Sequence, residues 1–326
     1  MKMSRRSFIG SSVAATAFAT IGAKAGRPGD GVRYIDVHAH CVERPTCPLT
    51  RGGLQPICTP DQLLRHYDEC GVERGCIVPL DACESFIGGQ SNEEVLRICR
   101  SHPDRFVPFV NVDPRANGNS PFTDFLPVLE YYKAQGCRGL GEMFANIPFL
   151  DPRVQNLFAA AEKADLSVTF HVAGAEGWLY GLVDEPGLPQ LETCLARFPK
   201  LRFFGHAQAF WSEIGEYTTF DERVGFPKGP VRNGRLEVLF RRYPNLYGDL
   251  SAGSGNLALA RDRAYAAKFL TEFQDRLLFG LDICAPQGWR SELWMFLRDL
   301  VEKGDISETV FRKVARENQI RLLKLS

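Results

Sequence analysis

The chain has 326 residues, 44% of them hydrophobic and 24% charged, which is the composition of a globular protein that buries a large core. Its 39 Lys and Arg residues balance 39 Asp and Glu residues, so the chain has no net field that would attract nucleic acid or an anionic membrane. These properties exclude a disordered chain and disfavour a nucleic-acid-binding protein. We expect a small-molecule ligand.

The N-terminus has the three parts of a signal peptide: a basic segment with Arg5-Arg6, a short apolar run over residues 12–22, and Ala23-Lys24-Ala25. The apolar run is too short for a stable membrane anchor. Paired arginines beside an Ala-, Thr- and Gly-containing run resemble a twin-arginine signal, which exports folded proteins. We therefore expect residues 1–25 to engage the Tat export machinery transiently and the mature protein to be periplasmic or extracellular. A disordered basic tail is the alternative.

Ten cysteines occur in the chain, but none forms a C-x-x-C motif, which disfavours a redox motif or a structural zinc ribbon. Those within apolar stretches, such as Cys76 and Cys137, are expected to be small buried residues. Cys47 and Cys58 share one loop and could pair, and the sequence does not decide whether any disulfide forms.

From residue 30 onward, short apolar runs alternate with longer amphipathic stretches, the pattern of repeated strand and helix units. The predicted strands are 33–38, 75–81, 106–112, 137–142, 167–171, 202–206, 245–250 and 276–282. Helical patterns between them include 60–70, 92–102 and 151–164. Eight such units predict a single-domain α/β fold, a (β/α)8 TIM barrel over residues 30–326.

Ligand-type side chains follow several of the predicted strands, at the end of the barrel where active sites form. The first strand ends in Asp36-Val37-His38-Ala39-His40, and period-two alternation points both histidines to the same side. The fifth, sixth and eighth predicted strands end at His171, His206 and Asp282. Neutral imidazoles with a carboxylate suit zinc or a similar first-row cation, with a position left for water. His66 and His102 fall in helical stretches and are expected to be structural.

The ordered set of His38-x-His40, His171, His206 and Phe279-Gly280-Leu281-Asp282 resembles the amidohydrolase superfamily over the whole mature chain. The likeness is greatest to its amidohydrolase-related branch, which contains aminocarboxymuconate-semialdehyde decarboxylase-like enzymes and some lactonases. The resemblance implies one divalent metal, most simply zinc, bound by His38, His40, His171 and Asp282. It also implies that His206 contacts substrate.

The fourth strand departs from the binuclear members of the superfamily, many of which carry a carboxylated lysine there. This chain instead has Gly139-Leu140-Gly141-Glu142. Glu142 would bridge a second metal reached by His171 and His206, or it would hydrogen-bond a metal-binding histidine or the substrate, and we favour one metal. Asp249 likewise either orients a ligand or caps the glycine-rich segment 251–255.

The expected chemistry is attack by metal-activated water on a small lactone, amide or ester. Asp282 would take the water proton and pass it to the leaving group, while His206 would stabilise charge on the carbonyl oxygen. Nonoxidative decarboxylation or hydration on the same fold is the alternative, and a noncatalytic, metal-containing periplasmic binding protein comes third. The sequence leaves a homo-oligomer open.

Aromatic residues in the loops after the predicted strands indicate a rim for a planar or cyclic substrate. We predict that Trp178 and Trp211 contact substrate, although packing between loops would explain the same residues. The other aromatic residues in these loops are Tyr180, Phe210 and Trp289. Arg290 would pair with a substrate carboxylate or lie solvated on the surface.

Overall fold

The computed structural model of the chain describes residues 31–44, 57–84, 89–178, 180–286 and 291–325. The predicted signal peptide, Cys47, Trp289 and Arg290 lie outside these residues. Within the described ranges, no helix has both the length and the apolar character needed to cross a membrane.

The strands of the described chain pair in parallel with one another. They are β1 (Tyr34–Ala39), β2 (Val72–Ile77), β3 (Phe106–Pro108), β4 (Gly139–Met143), β5 (Ser167–Ala173), β6 (Leu182–Val183), β7 (Phe203–His206), β8 (Leu246–Asp249) and β9 (Leu277–Leu278). Eight of them overlap the eight predicted strands. The two-residue β6 was not predicted; it pairs with the end of β5.

The strands close into a barrel through a few backbone contacts between two sheets. One sheet has the order β1-β2-β3 and the other β4-β5-β7-β8-β9. Val110, just after β3, bridges to Leu140 of β4, with its N–H 2.9 Å from the Gly139 oxygen. At the other seam, Ala39 of β1 bridges to Ile283, and the Asp282 N–H lies 2.8 Å from the His38 oxygen. The predicted eight-stranded barrel is therefore confirmed.

Helices lie between the strands. They are α1 (Pro60–Cys70), α2 (Asn92–Ser101), α3 (Leu126–Ala134), α4 (Pro152–Ala164), α5 (Pro189–Arg197), α6 (Gln208–Trp211), α7 (Phe220–Val224), α8 (Arg235–Arg242), α9 (Ala252–Ala260), α10 (Arg263–Glu272), α11 (Leu293–Glu302), α12 (Glu308–Arg312) and α13 (Asn318–Leu323). The sequence sets their ends locally. Thr59 forms a capping box with Gln62 at the start of α1, and left-handed Gly71 ends that helix.

The barrel interior is apolar below the strand ends. One buried cluster contains Val37, Cys76, Val78, Val107, Phe109, Phe204 and Leu278, together with Leu322 and Leu323 of α13. A crevice beside these two leucines is also lined by Arg138, Leu166 and Arg202, which directly precede strands. The C-terminal helix therefore covers the bottom of the barrel, opposite the ends of the strands that carry the histidines.

Most predicted strand ends lie within two residues of those in the structure, but three strands differ by more. Strand β2 covers 72–77 rather than 75–81, and β3 covers 106–108 rather than 106–112; beyond these ends, isolated backbone bonds such as that from the Phe109 N–H to the Ile77 oxygen replace the ladder. Strand β9 is reduced to 277–278, since the Phe279 N–H bonds to the Val314 oxygen instead. The segment 251–255, interpreted as a glycine-rich loop, forms the first turns of α9.

Candidate metal centre

Seven polar side chains meet at the carboxyl ends of six strands. They are His38 and His40 of β1, Glu142 of β4, His171 of β5, His206 of β7, Asp249 of β8 and Asp282 after β9. The backbone turns sharply beside three of them, because Ala207, Ala252 and Asp282 have φ values of 90°, 58° and 53°. Non-glycine residues rarely adopt this left-handed region, and such residues concentrate at functional sites.

His38 is at the centre of the group. Its Nε2 atom lies 3.1 Å from His40 Nε2, 3.0 Å from Glu142 Oε2 and 3.9 Å from Asp282 Oδ1. Asp282 Oδ1 is also 3.3 Å from His40 Nε2. Two imidazole nitrogens and two carboxylate oxygens thus point at one small volume, and a cation fits the charge of such a set.

Glu142 lies between this volume and a second group of histidines. Its Oε1 atom is 2.8 Å from His171 Nδ1 and 3.8 Å from His206 Nε2, while Oε2 faces His38 and His40. Three sets of donor atoms are close enough to hold an ion: His38, His206 and Asp249; His38, His40 and Glu142; and Glu142, His171 and His206. The carboxylate is therefore placed to serve either a single ion or a pair.

Hydrogen bonds behind the histidines fix which nitrogen faces inward. His38 Nδ1 donates to Asp249 Oδ2 at 2.7 Å, and His40 Nδ1 donates to the Val78 carbonyl oxygen at 2.7 Å. A carboxylate oxygen and a carbonyl oxygen accept these bonds, so Nδ1 is the donor and Nε2 is the nitrogen that faces into the site. His206 Nδ1 lies 3.0 Å from Ser251 Oγ. This is the outer support that metal-binding histidines require.

The charges of the site act strongly on one another. Burial lowers the pKa of His38, but Glu142, Asp249 and Asp282 outweigh it and hold that pKa well above its ordinary value. Burial likewise lowers the pKa of His40, yet hydrogen bonds with Asp282 and Glu142 raise it to about 9. Without a cation, protons must neutralise the clustered acceptors. A divalent ion would supply the same positive charge.

The two inner carboxylates stay ionised while His206 stays neutral. Burial raises the pKa of Glu142, but His38 and hydrogen bonds with the histidines reverse this and hold it well below its usual range. The pKa of Asp282 is also lowered, since His38 and His40 outweigh burial. Burial, with the charge of His38, lowers the pKa of His206.

Among the described site residues, solvent exposure is uneven. The side chains of His38, Glu142 and Asp249 are at most 3% exposed, whereas those of His171 and Asp282 are 11% and 22% exposed. Asp282 and His171 are therefore the described site residues most exposed to solvent.

The structure brings together all the predicted metal-site residues, but it moves one predicted substrate contact into the core. Trp211 is 1% exposed, and its indole N–H donates to the Asp249 carbonyl oxygen at 2.8 Å. The ring packs where a side chain on Gly248 would stand. Trp211 therefore lies in the core rather than on the predicted rim, and Phe210 is buried as well. Trp178 is half-buried and packs edge-on against Phe220.

Sequence reasoning missed Ser251 and the Val78 carbonyl as supports of His206 and His40. Ser251 had a signal, because it follows Asp249 by two residues. Asp249 does both things that the sequence left open: Oδ2 accepts from His38, and Oδ1 accepts from the Ser251 N–H at 2.9 Å. No sequence signal indicated the carbonyl of Val78.

Tyr180, one of the aromatic loop residues, packs directly on the site. Its ring centre is 4.6 Å from that of His171 and 4.7 Å from that of Phe144. Burial, together with the charges of Glu142 and Asp282, raises the pKa of its hydroxyl. The phenol is therefore protonated at neutral pH.

The amidohydrolase family model (Amidohydro_2) matches residues 35–325, and the chain belongs to this family. No curated protein matches it. Among solved structures, a TIM-barrel protein from Bordetella bronchiseptica is 17% identical with a TM-score of 0.57, over 90% of this chain and 99% of that one. A probable 2-pyrone-4,6-dicarboxylic acid hydrolase from Acinetobacter baumannii is 15% identical with a TM-score of 0.56, over 90% and 100%. A 2,6-dihydroxybenzoate decarboxylase from Rhizobium is 14% identical with a TM-score of 0.55, over 90% and 99%.

These likenesses establish the barrel fold, and the family indicates an enzyme of the amidohydrolase superfamily. The family normally binds metal, and the clustered histidines and Glu142 of this chain can hold one. Both a hydrolase and a decarboxylase share the fold, so the likeness does not select the reaction.

Proposed function

We propose that this protein is a metal-dependent hydrolase that cleaves a small lactone, ester or amide with metal-activated water. The observation that carries the proposal is the convergence of His38 Nε2, His40 Nε2 and Asp282 Oδ1 within 4 Å of one another. Beside them, Asp282 is the site carboxylate most open to solvent. A carboxylate in that position can both bind a cation and accept a proton from water.

The donor set fits zinc best. Each of the two β1 histidines already has its Nδ1 hydrogen bound by an oxygen acceptor, so each offers one neutral nitrogen ligand. Asp282 adds a carboxylate oxygen. His171, whose Nδ1 is 2.8 Å from Glu142 Oε1, is the fourth residue of the proposed ligand set. A divalent cation held there would lower the pKa of its bound water and polarise a substrate carbonyl.

The chain's own residues supply the proton transfers. Asp282 would accept the proton of the attacking water and return it to the leaving group, because its carboxylate is ionised and open to solvent. His206 is neutral and its Nε2 is 3.7 Å from Asp282 Oδ2. If Ser251 donates to Nδ1, the Nε2–H of His206 points into the site and stabilises charge on the carbonyl oxygen.

We favour one metal, with Glu142 acting on the histidines. Its Oε1 accepts from His171 Nδ1 at 2.8 Å, a bond that orients the histidine without any ion. The ionised Glu142 then balances the charge of the single cation and its water.

Decarboxylation is the competing reaction, because it needs the same metal and fold. It would benefit from a cationic side chain that holds the departing carboxylate. In the described ranges, the ion-pair partners of Glu142, Asp249 and Asp282 are all histidines. We favour hydrolysis because the strand-end motifs themselves contain no arginine.

The test is a paired assay on the zinc-loaded protein. Lactones, esters and amides are screened for acid release, and aromatic carboxylates are screened for CO2 release. The proposal expects hydrolysis that Asp282→Asn abolishes, and that His206→Ala lowers while the metal is retained. CO2 release without hydrolysis would instead identify a decarboxylase, and metal loss in His206→Ala would make His206 a metal ligand.

We also propose that the signal-like N-terminus exports the protein in its folded state. The support is the order of Arg5-Arg6, apolar run and Ala23-Lys24-Ala25. Replacing both arginines with lysine should keep the full-length precursor in the cytoplasm, whereas periplasmic fractions of wild type should contain the shortened chain. Equal export of both would contradict the proposal.

A further inference from the structure

The loop of residues 174–184 follows β5 and covers His171 on the open side of the site. Gly181 lies so close to His171 that a Cβ on it would be 2.7 Å from the His171 carbonyl oxygen and 2.8 Å from the ring. Its N–H donates to the Phe144 oxygen at 2.7 Å. The preceding residue, Tyr180, packs its ring edge-on against both His171 and Phe144.

The Tyr180 hydroxyl has no protein partner in the described part of the chain. The carboxylates whose charges act on it belong to Glu142 and Asp282, the same groups that face the proposed metal. A phenol O–H that is half-buried beside a reaction centre and not used by the protein is available to a substrate oxygen.

The loop is held at both ends by one buried arginine. Arg223 of α7 is 3% exposed and donates to the carbonyl oxygens of Gly174, at 2.8 Å, and Asp184, at 2.7 Å. Glu213, also buried, lies 4.0 Å from its Nε and balances the charge. Both clamped carbonyls are ends of the loop, so the guanidinium fixes the loop's span.

A second side chain holds the loop from inside. The Asn146 amide donates to the carbonyl oxygens of Ala175 and Gly181, each at 3.3 Å. α7 itself is seated against the loop, because a Cβ on Gly174 would meet the side chains of Val224 and Phe220. The position of Tyr180 is therefore set by contacts that lie away from the metal donors.

We propose that Tyr180 is a substrate-binding residue whose O–H donates a hydrogen bond to a substrate oxygen, and that Arg223 is the positioning residue that holds it there. The inference rests on the proposed function, because the substrate oxygen must be brought to the metal side of the site. It adds to that function a hydrogen bond to substrate from the loop that follows β5, positioned by Arg223 of α7, which follows β7.

The test uses zinc-loaded protein and acetohydroxamate, a small ligand whose oxygens bind zinc. Binding is measured by calorimetry and metal content by elemental mass spectrometry. Tyr180→Phe should weaken binding about tenfold, the worth of one hydrogen bond at its upper range, with metal content unchanged. Arg223→Lys should weaken it about fivefold, since lysine cannot reach both carbonyls.

A double-mutant cycle separates positioning from general stability. If Arg223 acts through Tyr180, adding Arg223→Lys to Tyr180→Phe should weaken binding by less than about twofold more. Arg235 is the matched control, because it donates to the Gly187 carbonyl oxygen, outside this loop. Arg235→Lys should leave binding unchanged even where it lowers the melting temperature.

Two results would overturn the inference but not the proposed function. One is a Tyr180→Phe variant that binds acetohydroxamate as tightly as the wild type does. The other is a double variant whose loss of affinity equals the product of the two single losses. If the zinc-loaded wild type binds no hydroxamate, the proposed function and this inference fail together.

Discussion

Replacing Asp249 with Asn would test whether the support behind His38 sets the metal affinity. Both oxygens of Asp249 accept: Oδ2 from His38 Nδ1 at 2.7 Å, and Oδ1 from the Ser251 N–H at 2.9 Å. Asparagine has the same shape but only one acceptor. Whichever way the amide turns, its NH2 group faces an N–H donor, so one of the two bonds is lost.

The expected cost follows from where the lost bond lies. The Asp249 side chain is 1% exposed, so water cannot replace the missing acceptor. Removing an outer partner of a metal-binding histidine typically lowers metal affinity by about 10- to 100-fold, which is about 1.4 to 2.8 kcal/mol. At saturating zinc, the free energy of unfolding should fall by about the same amount, because bound metal stabilises only the folded chain.

Zinc affinity is measured by competition with a chromophoric chelator, for wild type, Asp249→Asn and Asp184→Asn. Asp184 is the matched control: it is equally buried and accepts from the N–H groups of Glu185, Gln190 and Leu191, but it contacts no site histidine. Asp184→Asn should destabilise the fold and leave zinc affinity intact. If Asp249→Asn kept the wild-type zinc affinity within about twofold, the role of Asp249 would be refuted.

Three further substitutions test other parts of the structure. Gly141→Ala should lower both the stability and the zinc content, because φ is 127° and the new Cβ would clash with the Thr169 carbonyl oxygen. Gly136 is the control, with φ of 105° and open space around it: Gly136→Ala should lower the free energy of unfolding by about 1 kcal/mol and leave the zinc content unchanged. Trp211→Phe should lower the unfolding free energy by about 1–3 kcal/mol in urea titrations and leave KM unchanged, since the indole is in the core. Asp165→Asn removes a carboxylate whose pKa, despite burial, is lowered to about 2 by Lys324 and Arg202. Because this carboxylate is partly exposed, we expect the wild type to be only about 1 kcal/mol more stable than the variant near pH 7. The difference in stability should shrink between pH 4 and pH 2 as Asp165 is protonated. A pH-independent difference would contradict the ion-pair explanation.

The barrel was predictable because each strand carries its own apolar run and each helix its own end signals. The prediction of α1 over 60–70 matches the structure, since Pro60 and Gly71 are local signals. Strand ends were less predictable. Hydrophobicity continues through 78–81 and 109–112, but the ladder there depends on partners that local sequence does not reveal.

The site could be predicted to the extent that its residues end strands. His38, His171, His206 and Asp282 are carried there by fold geometry alone. The sequence could not place Trp211 in the same way, because a tryptophan after a strand is equally compatible with the rim of the site and with the hydrophobic core. Its position depends on the close approach allowed by Gly248, which lies in a different element, strand β8. Arg223 was beyond sequence reasoning for the same reason, as its partners are backbone carbonyls of another loop.

The most direct test of the metal centre is the metal content of the folded protein by elemental mass spectrometry. Wild type is compared with His38→Ala, Glu142→Ala and, as a histidine control away from the site, His102→Ala. We expect one divalent ion per chain in wild type, kept in Glu142→Ala and His102→Ala and lost in His38→Ala. Two ions that fall to one in Glu142→Ala would make Glu142 a bridge. No ion after zinc loading, or an ion retained in His38→Ala, would contradict the metal centre itself.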